Sequence, residues 1–399
     1  MHTPFLVRTC KPVAACWIAV FVIGSGCQQI RSQLAAVMPD RSQTQAVERP
    51  AVDRHTPGAT PAPPADGATA PAPVQAATAV DPDLMLFGAE PARQIDPGQP
   101  RPVVSLQQQT FTDVGRDFDP DVDSAGKQIV FASTRHGERP NLYLQSTKGK
   151  AVTQLTSDPA SSIQPRFSPD GKKIAFASDR AGQWDIYVLD LETHATSQVT
   201  HNLATELAPS WSPDGKWLAY TRLSPAGIWE LWLVSMTGDG ERCIGPGLLP
   251  RWSPDGAQLV FQRPRQRDGM LFGIWTVRMA GGEPSWPTEI AAEPDAALIC
   301  PVWSPDGKQI AFCRVPVSGL ANGAGGATFR PGRADIYVVD ADGGNRIRLT
   351  DGGASFGPCW SAEGRLFFST DRDGRERIWS LRVIGPAKPS LAAAAQMNE

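Results

Sequence analysis

The sequence predicts an all-β chain: a six-bladed β-propeller closed by its own N-terminal strand and preceded by a signal segment and a disordered tether. Three observations predict it. A short unit, Pro-x-aromatic-Ser-Pro-Asp-Gly followed by alternating apolar residues, recurs along the chain. Its period is that of propeller blades rather than of helical solenoids. A strand that the last copy lacks stands ahead of the first.

The anchoring prolines are Pro120, Pro165, Pro209, Pro250, Pro301 and Pro358, spaced 45, 44, 41, 51 and 57 residues apart. Two positions after each anchor comes Val122, Phe167, Trp211, Trp252, Trp303 or Trp360, and the turn ends at Gly126, Gly171, Gly215, Gly256, Gly307 or Gly364. Pro fixes φ, Asp bonds its local backbone and Gly accepts φ > 0, so the unit reads strand, tight turn, strand. Second strands such as IAFAS and third strands such as IYVL follow in the same order in each copy. Their period-two alternation leaves one apolar face per sheet, and radial stacking covers it.

A fourth strand ending in Thr appears as TQLT, SQVT and IRLT, but nothing comparable follows Ile378-Trp379-Ser380-Leu381. Phe111-Thr112 stands eight residues before Pro120, as Leu349-Thr350 stands before Pro358. The N-terminal strand in VVSLQQQTFTD is therefore expected to complete the last blade, giving a ring over residues 102–383 and a disordered tail over 384–399.

The unit is similar to the TolB-type (WD40-like) propeller repeat, most fully in QPRFSPDGKKIAFASDRAGQWDIYVLD from Gln164 to Asp190. The resemblance covers the C-terminal seven tenths of the chain and implies the fold; it says little of the ligand. An α/β domain precedes the blades in that family, and here residues 28–101 take its place.

Residues 1–27 carry Arg8 and Lys11, then an apolar run, then Gly24-Ser25-Gly26-Cys27. The run is too short for a stable span, so it reads as an export signal. Its end resembles a bacterial lipobox, with Gly24 where that motif prefers Leu. The resemblance implies lipidation at Cys27, with Gln28 behind it fitting outer-membrane delivery; simple cleavage and an uncleaved anchor are the alternatives. Residues 28–101, rich in Ala, Pro, Thr and Gln, bury too little apolar surface to offset ordering. The apolar island Leu84–Ala89 either docks on the ring or a partner or is merely a cluster in the linker.

A formal charge of −3 over 399 residues argues against a nucleic-acid surface. Of seven cysteines, Cys10 and Cys16 leave with the signal and Cys27 takes the lipid. Cys243, Cys300, Cys313 and Cys359 remain. Folding the unit about its turn places Cys300 nearly opposite Cys313, a candidate disulfide in an exported chain, with free thiols the alternative. Eleven of the twelve tryptophans lie in the blades and are expected in the core.

No catalytic motif of a hydrolase, zinc protease, thiol oxidoreductase or nucleotide-binding protein appears. His136, His194 and His201, the only histidines in the ring, do not converge. No catalytic residue, metal or cofactor is assigned. Asp117, Asp119, Asp121 and Asp123 alternate, so a regular strand would put them on one side, where Ca²⁺ is one explanation. The other is that Asp123 caps the turn. Arginines recur between the second and third strands of the copies, and pairing with local acids accounts for part of them. Two such loops, with Arg265 and Arg267 in one and Phe329, Arg330 and Arg333 in the other, form the candidate partner-binding patch. Guanidinium forks suit an anionic polymer or an acidic protein. The expectation is a non-catalytic, monomeric, lipid-anchored periplasmic propeller that binds an envelope partner. A propeller lyase or hydrolase acting on an acidic polysaccharide and a Tol–Pal component are the alternatives.

Overall fold

A computed structural model describes residues 103–238, 240–265, 271–280, 283–316 and 333–384. Cys27, the segment 28–101 with Leu84–Ala89, and the tail lie outside the described residues. Among the described residues every regular element is a strand.

Strand β1 (Val103–Gln108) comes first. Blade 1 is β2 (Asp117–Val122), β3 (Gln128–Ser133), β4 (Asn141–Ser146) and β5 (Val152–Gln154). Blade 2 is β6 (Ser162–Phe167), β7 (Lys173–Ser178), β8 (Asp185–Asp190) and β9 (Thr196–Gln198). Blade 3 is β10 (Glu206–Trp211), β11 (Trp217–Leu223), β12 (Trp229–Ser235) and β13 (Glu241–Pro246). Blade 4 is β14 (Leu248–Trp252), β15 (Gln258–Pro264), β16 (Phe272–Ala280), β17 (Glu283–Pro284) and β18 (Thr288–Ala291). Blade 5 is β19 (Ala296–Trp303), β20 (Gln309–Pro316), β21 (Asp335–Asp340) and β22 (Ile347–Arg348), and blade 6 is β23 (Ser355–Trp360), β24 (Arg365–Thr370) and β25 (Arg377–Ile384). The sixth sheet runs β1-β25-β24-β23, and β1 pairs antiparallel with β25 from Val103↔Ile384 to Gln108↔Trp379. Ring closure by the N-terminal strand follows directly.

The turns work as their composition requires. In blades 2 to 5 the Ser hydroxyl of Ser-Pro-Asp-Gly donates to the Asp carboxylate, as Ser168 does to Asp170 at 2.6 Å, and accepts the amide of the next strand, Lys173, at 2.9 Å. That bond holds the Asp170 carboxyl below its usual range, and the same holds for Asp214, Asp255 and Asp306. The closing glycines, such as Gly171 at φ 71°, sit in the left-handed region where a Cβ would be strained. In blade 1, Asp123 replaces the Ser and takes the amides of Lys127 and Gln128 itself.

A second repeated bond fixes the outer strand. Thr156 and Thr200 accept the amides of Leu142 and Ile186, Thr350 accepts that of Ile336, and Thr110 accepts that of Ile378. The counterpart of Thr350 in the closing strand is thus Thr110, not Thr112. Two additional residues in the connection to β2 displace the equivalence that spacing alone gives.

The core lies between blades. Ala219, Leu231 and Leu233 of blade 3 pack on Leu259, Phe261 and Val277 of blade 4. Ile129, Phe131 and Tyr143 of blade 1 pack on Cys359, Phe367 and Ile378 of blade 6, so the closure is filled rather than merely hydrogen-bonded. Most blade tryptophans are buried or partly buried, but Trp286, on the outer edge of blade 4, is 73% exposed. It stands outside the repeat positions, which is why the repeat argument does not cover it.

Candidate functional site

The first strands of the six blades, β2, β6, β10, β14, β19 and β23, contact one another in cyclic order and form the wall of the axial channel. Each is interrupted by a bulge at the residue before its anchoring proline. Those residues, Asp119, Gln164, Ala208, Leu249, Cys300 and Gly357, all have φ between 52° and 58°. For the five that are not Gly this left-handed turn costs roughly 1 kcal/mol each. Bonds from the preceding blade hold it in place in blades 3 to 5. The amide of Ala208 donates to Gln164 Oε1 (2.7 Å), that of Leu249 to Thr221 Oγ1 (3.0 Å) and that of Cys300 to Gln262 Oε1 (2.9 Å). The bulge also breaks strand alternation, so residues on either side of it can both face the axis.

Two layers result. The bulge residues make one; the residues after the prolines, Asp121, Arg166, Ser210, Arg251, Val302 and Cys359, make the next. Asp119, Gln164, Arg166, Arg251 and Cys300 line one cavity. Asp119, Asp121, Arg166 and Arg251 are each half-buried. Enclosure in the wall pushes the Asp119 carboxyl up to about 7; the Arg166 guanidinium opposes the shift and Glu376 adds to it. Asp119 Oδ2 is buried without a hydrogen-bond partner among the described residues. Asp121 is also raised by burial, although its Oδ2 accepts the Phe167 amide at 2.8 Å. Burial, helped by the neighbouring Arg166 charge, brings Arg251 down to about 9.

The rim is built differently. Arg135, Arg180, Arg222, Arg263 and Arg372 lie over aromatic rings of their own blades, with guanidinium carbons 4.0 to 5.4 Å from the ring centroids. Blade 5 uses Arg346 over Phe312 at 5.6 Å. Most are also ion-paired: Arg135 to Asp117 (2.9 Å), Arg180 to Asp158 (3.0 Å), and Arg222 to both Glu206 and Glu241 (2.6 Å each). The partners come largely from the first strand or the blade connection rather than from the adjacent loop acids. These arginines hold the blade.

The sequence-derived site residues separate accordingly. Arg265 donates to the Glu293 carbonyl at 3.3 Å and Arg333 pairs with Asp335 at 3.2 Å. Arg267, Phe329 and Arg330 lie outside the described residues. The four alternating aspartates do not form one face: Asp117 is buried against Ser133 and Arg135, Asp119 lines the axial cavity, Asp121 accepts the Phe167 amide of blade 2, and Asp123 caps its turn. Cys313 pairs with Ile299, not Cys300, because Cys300 is the bulged residue. All four described cysteines are free, and burial together with the neighbouring Cys300 pushes the Cys313 thiol up.

What sequence reasoning missed is the axis. Its signal was available in the residue on either side of each anchoring proline, where Asp119, Asp121, Arg166 and Arg251 depart from the neutral residues of other copies.

A model of the TolB beta propeller domain (PD40) matches residues 103–282. An uncharacterized protein of Agrobacterium fabrum is 35% identical over 95 residues, which is 23% of this chain and 28% of that protein. The Tol-Pal system protein TolB of Helicobacter pylori is 36% identical over 70 residues, 18% of this chain and 16% of that protein. A solved structure of a candidate TolB from Agrobacterium tumefaciens is 21% identical with a TM-score of 0.54, over 72% of this chain and 100% of that one. The chain therefore spans less than a third of the length of the curated relatives it matches. The structural likeness, at that identity, concerns the fold.

Proposed function

We propose that this chain, which carries a TolB-like β-propeller, is a non-catalytic binding protein of the bacterial cell envelope that receives a partner at the axis of its ring. The observation that carries the reading is the contrast in charge use: rim arginines are consumed by the blades, whereas Arg166 and Arg251 line the axial cavity with no carboxylate within 4.0 Å among the described residues. A rigid wall with charge lining its cavity is suited to recognition. The likeness to a Tol-Pal system protein supports a Tol–Pal-related role, with an envelope protein as partner. The non-catalytic part rests on the histidines. His136 bonds Tyr143 Oη at 2.9 Å, His194 sits in a turn, and none of the three lines the axial cavity. The finer reading adds a lipid anchor at Cys27, for which Cys27→Ser is expected to release the protein from membranes without unfolding it.

The test is in-cell crosslinking of the full chain followed by affinity capture. Repeated recovery of an envelope protein, such as a peptidoglycan-associated lipoprotein, supports the reading. Capture of no envelope protein contradicts it.

A further inference from the structure

The two axial arginines flank a small residue. Arg166 of β6 and Arg251 of β14 occupy equivalent positions in blades 2 and 4, and between them, in blade 3, the same position holds Ser210. Ser210 is buried, its Oγ accepts the Trp252 amide at 3.4 Å, and it adds no charge between the two arginines. Among the described residues neither guanidinium has a carboxylate within 4.0 Å, in contrast to the rim, where such pairs recur. Arg166 Nη1 donates to the carbonyl of its own neighbour Pro165 at 2.6 Å. Asp121, on the far side of Arg166, spends one oxygen on the Phe167 amide.

Two like charges lining one partly dehydrated cavity raise each other's cost. An anion between them removes that cost. A carboxylate matches the guanidinium fork in plane and in donor spacing. We propose that the axial wall carries a carboxylate-binding subsite, with Arg166 and Arg251 as its two forks and Ala208 and Pro209 lining the cavity between them. This rests on the partner-binding reading and names the chemical group recognised. The carboxylate comes either from a small free acid or from an acidic side chain of a protein partner.

Asp119 sets the pH dependence. It faces Arg166 of β6, Arg251 of β14 and Glu376 ahead of β25, with Asp121 on its own strand. As pH falls through about 7, Asp119 takes up a proton and one negative charge leaves the axis. Carboxylate binding is therefore tighter at pH 6 than at pH 8.

The experiment is calorimetric titration of the full chain with sodium malonate and, separately, with a capped hexaglutamate peptide, at both pH values. Binding of either probe, tighter at pH 6, is expected, and the better probe tells the free acid from the side-chain source. Arg166→Gln and Arg251→Gln are each expected to weaken it about tenfold or more, the range for a lost charged hydrogen bond. Asp119→Asn is expected to remove the pH dependence and keep the tighter binding. A folding defect in one arginine variant, read from its melting curve, leaves the other as the test. No binding of either probe at pH 6, or unchanged binding in a folded arginine variant, overturns the subsite. Partner capture in cells that survives both arginine substitutions removes the subsite and leaves the partner-binding reading. Failure of the parent to capture an envelope protein removes that reading, while the titration still decides the subsite.

Discussion

Arginine appears at the rim and at the axis of the same ring, and the two regions use it for opposite purposes. At the rim, Arg222 lies 4.0 Å from the Trp232 ring centroid and is bonded to Glu206 and Glu241, so its charge and its donors are spent inside blade 3. At the axis, Arg251 has no such carboxylate among the described residues, and burial brings it down to about 9. Both side chains are partly enclosed. What differs is whether the fold brings a carboxylate within ion-pair distance. Where it does, the arginine is a structural member; where it does not, the site is left to be completed from outside.

Deleting residues 103–112 removes β1 and Thr110, opens the edge of β25 and exposes the interface between blades 1 and 6. The expected outcome is loss of cooperative unfolding in a thermal melt. Next in size is Arg222→Ala. It leaves Glu206, whose side chain is fully buried, without its ion pair. Stripping one partner from a buried pair costs about 3–5 kcal/mol, readable in denaturant unfolding.

Asp119→Asn should act in the other direction. A carboxyl whose folded value is raised binds protons more tightly folded than unfolded, so stability falls as pH rises from the unfolded value near 4 towards about 7. Above that window the parent carries the whole cost and the Asn variant carries none. A gain on the order of 1–2 kcal/mol at pH 8, allowing for water in the channel, should shrink towards zero at pH 4. Unfolding at the two pH values checks both sign and window. The smallest effect is expected for Arg333→Ala. Its pair with Asp335 is solvent-exposed on the Arg side, and Arg348 also reaches Asp335 at 2.9 Å. Stability should change by less than about 0.5 kcal/mol.

The same contrast explains what the chain revealed before its structure. Blade number, strand order and closure were legible because each copy repeats the same turn, and a repeat is an averaging device: what six copies share stands out. The axial site is made of what the copies do not share. Asp121, Arg166, Ser210 and Arg251 are one position read in four blades, and only the closed ring brings them together. Asp119 and Asp121 were visible as part of an alternating run. The bulge at Asp119, with φ 52°, then removed the alternation that seemed to group them with Asp117 and Asp123. The rim arginines misled for a related reason: their partners, Asp117 and Glu206, lie 18 and 16 residues away on the first strand, beyond what adjacency suggests.

A photo-crosslinking residue at Leu249, in the axial wall, and another at Trp286, exposed on the outer edge of blade 4, decide where the partner sits. With full-length protein in cells, the account predicts a specific crosslinked envelope partner from Leu249 and none from Trp286. Partner capture from Trp286 with nothing from Leu249 would contradict it and move the binding site from the axis to the outer edge of blade 4.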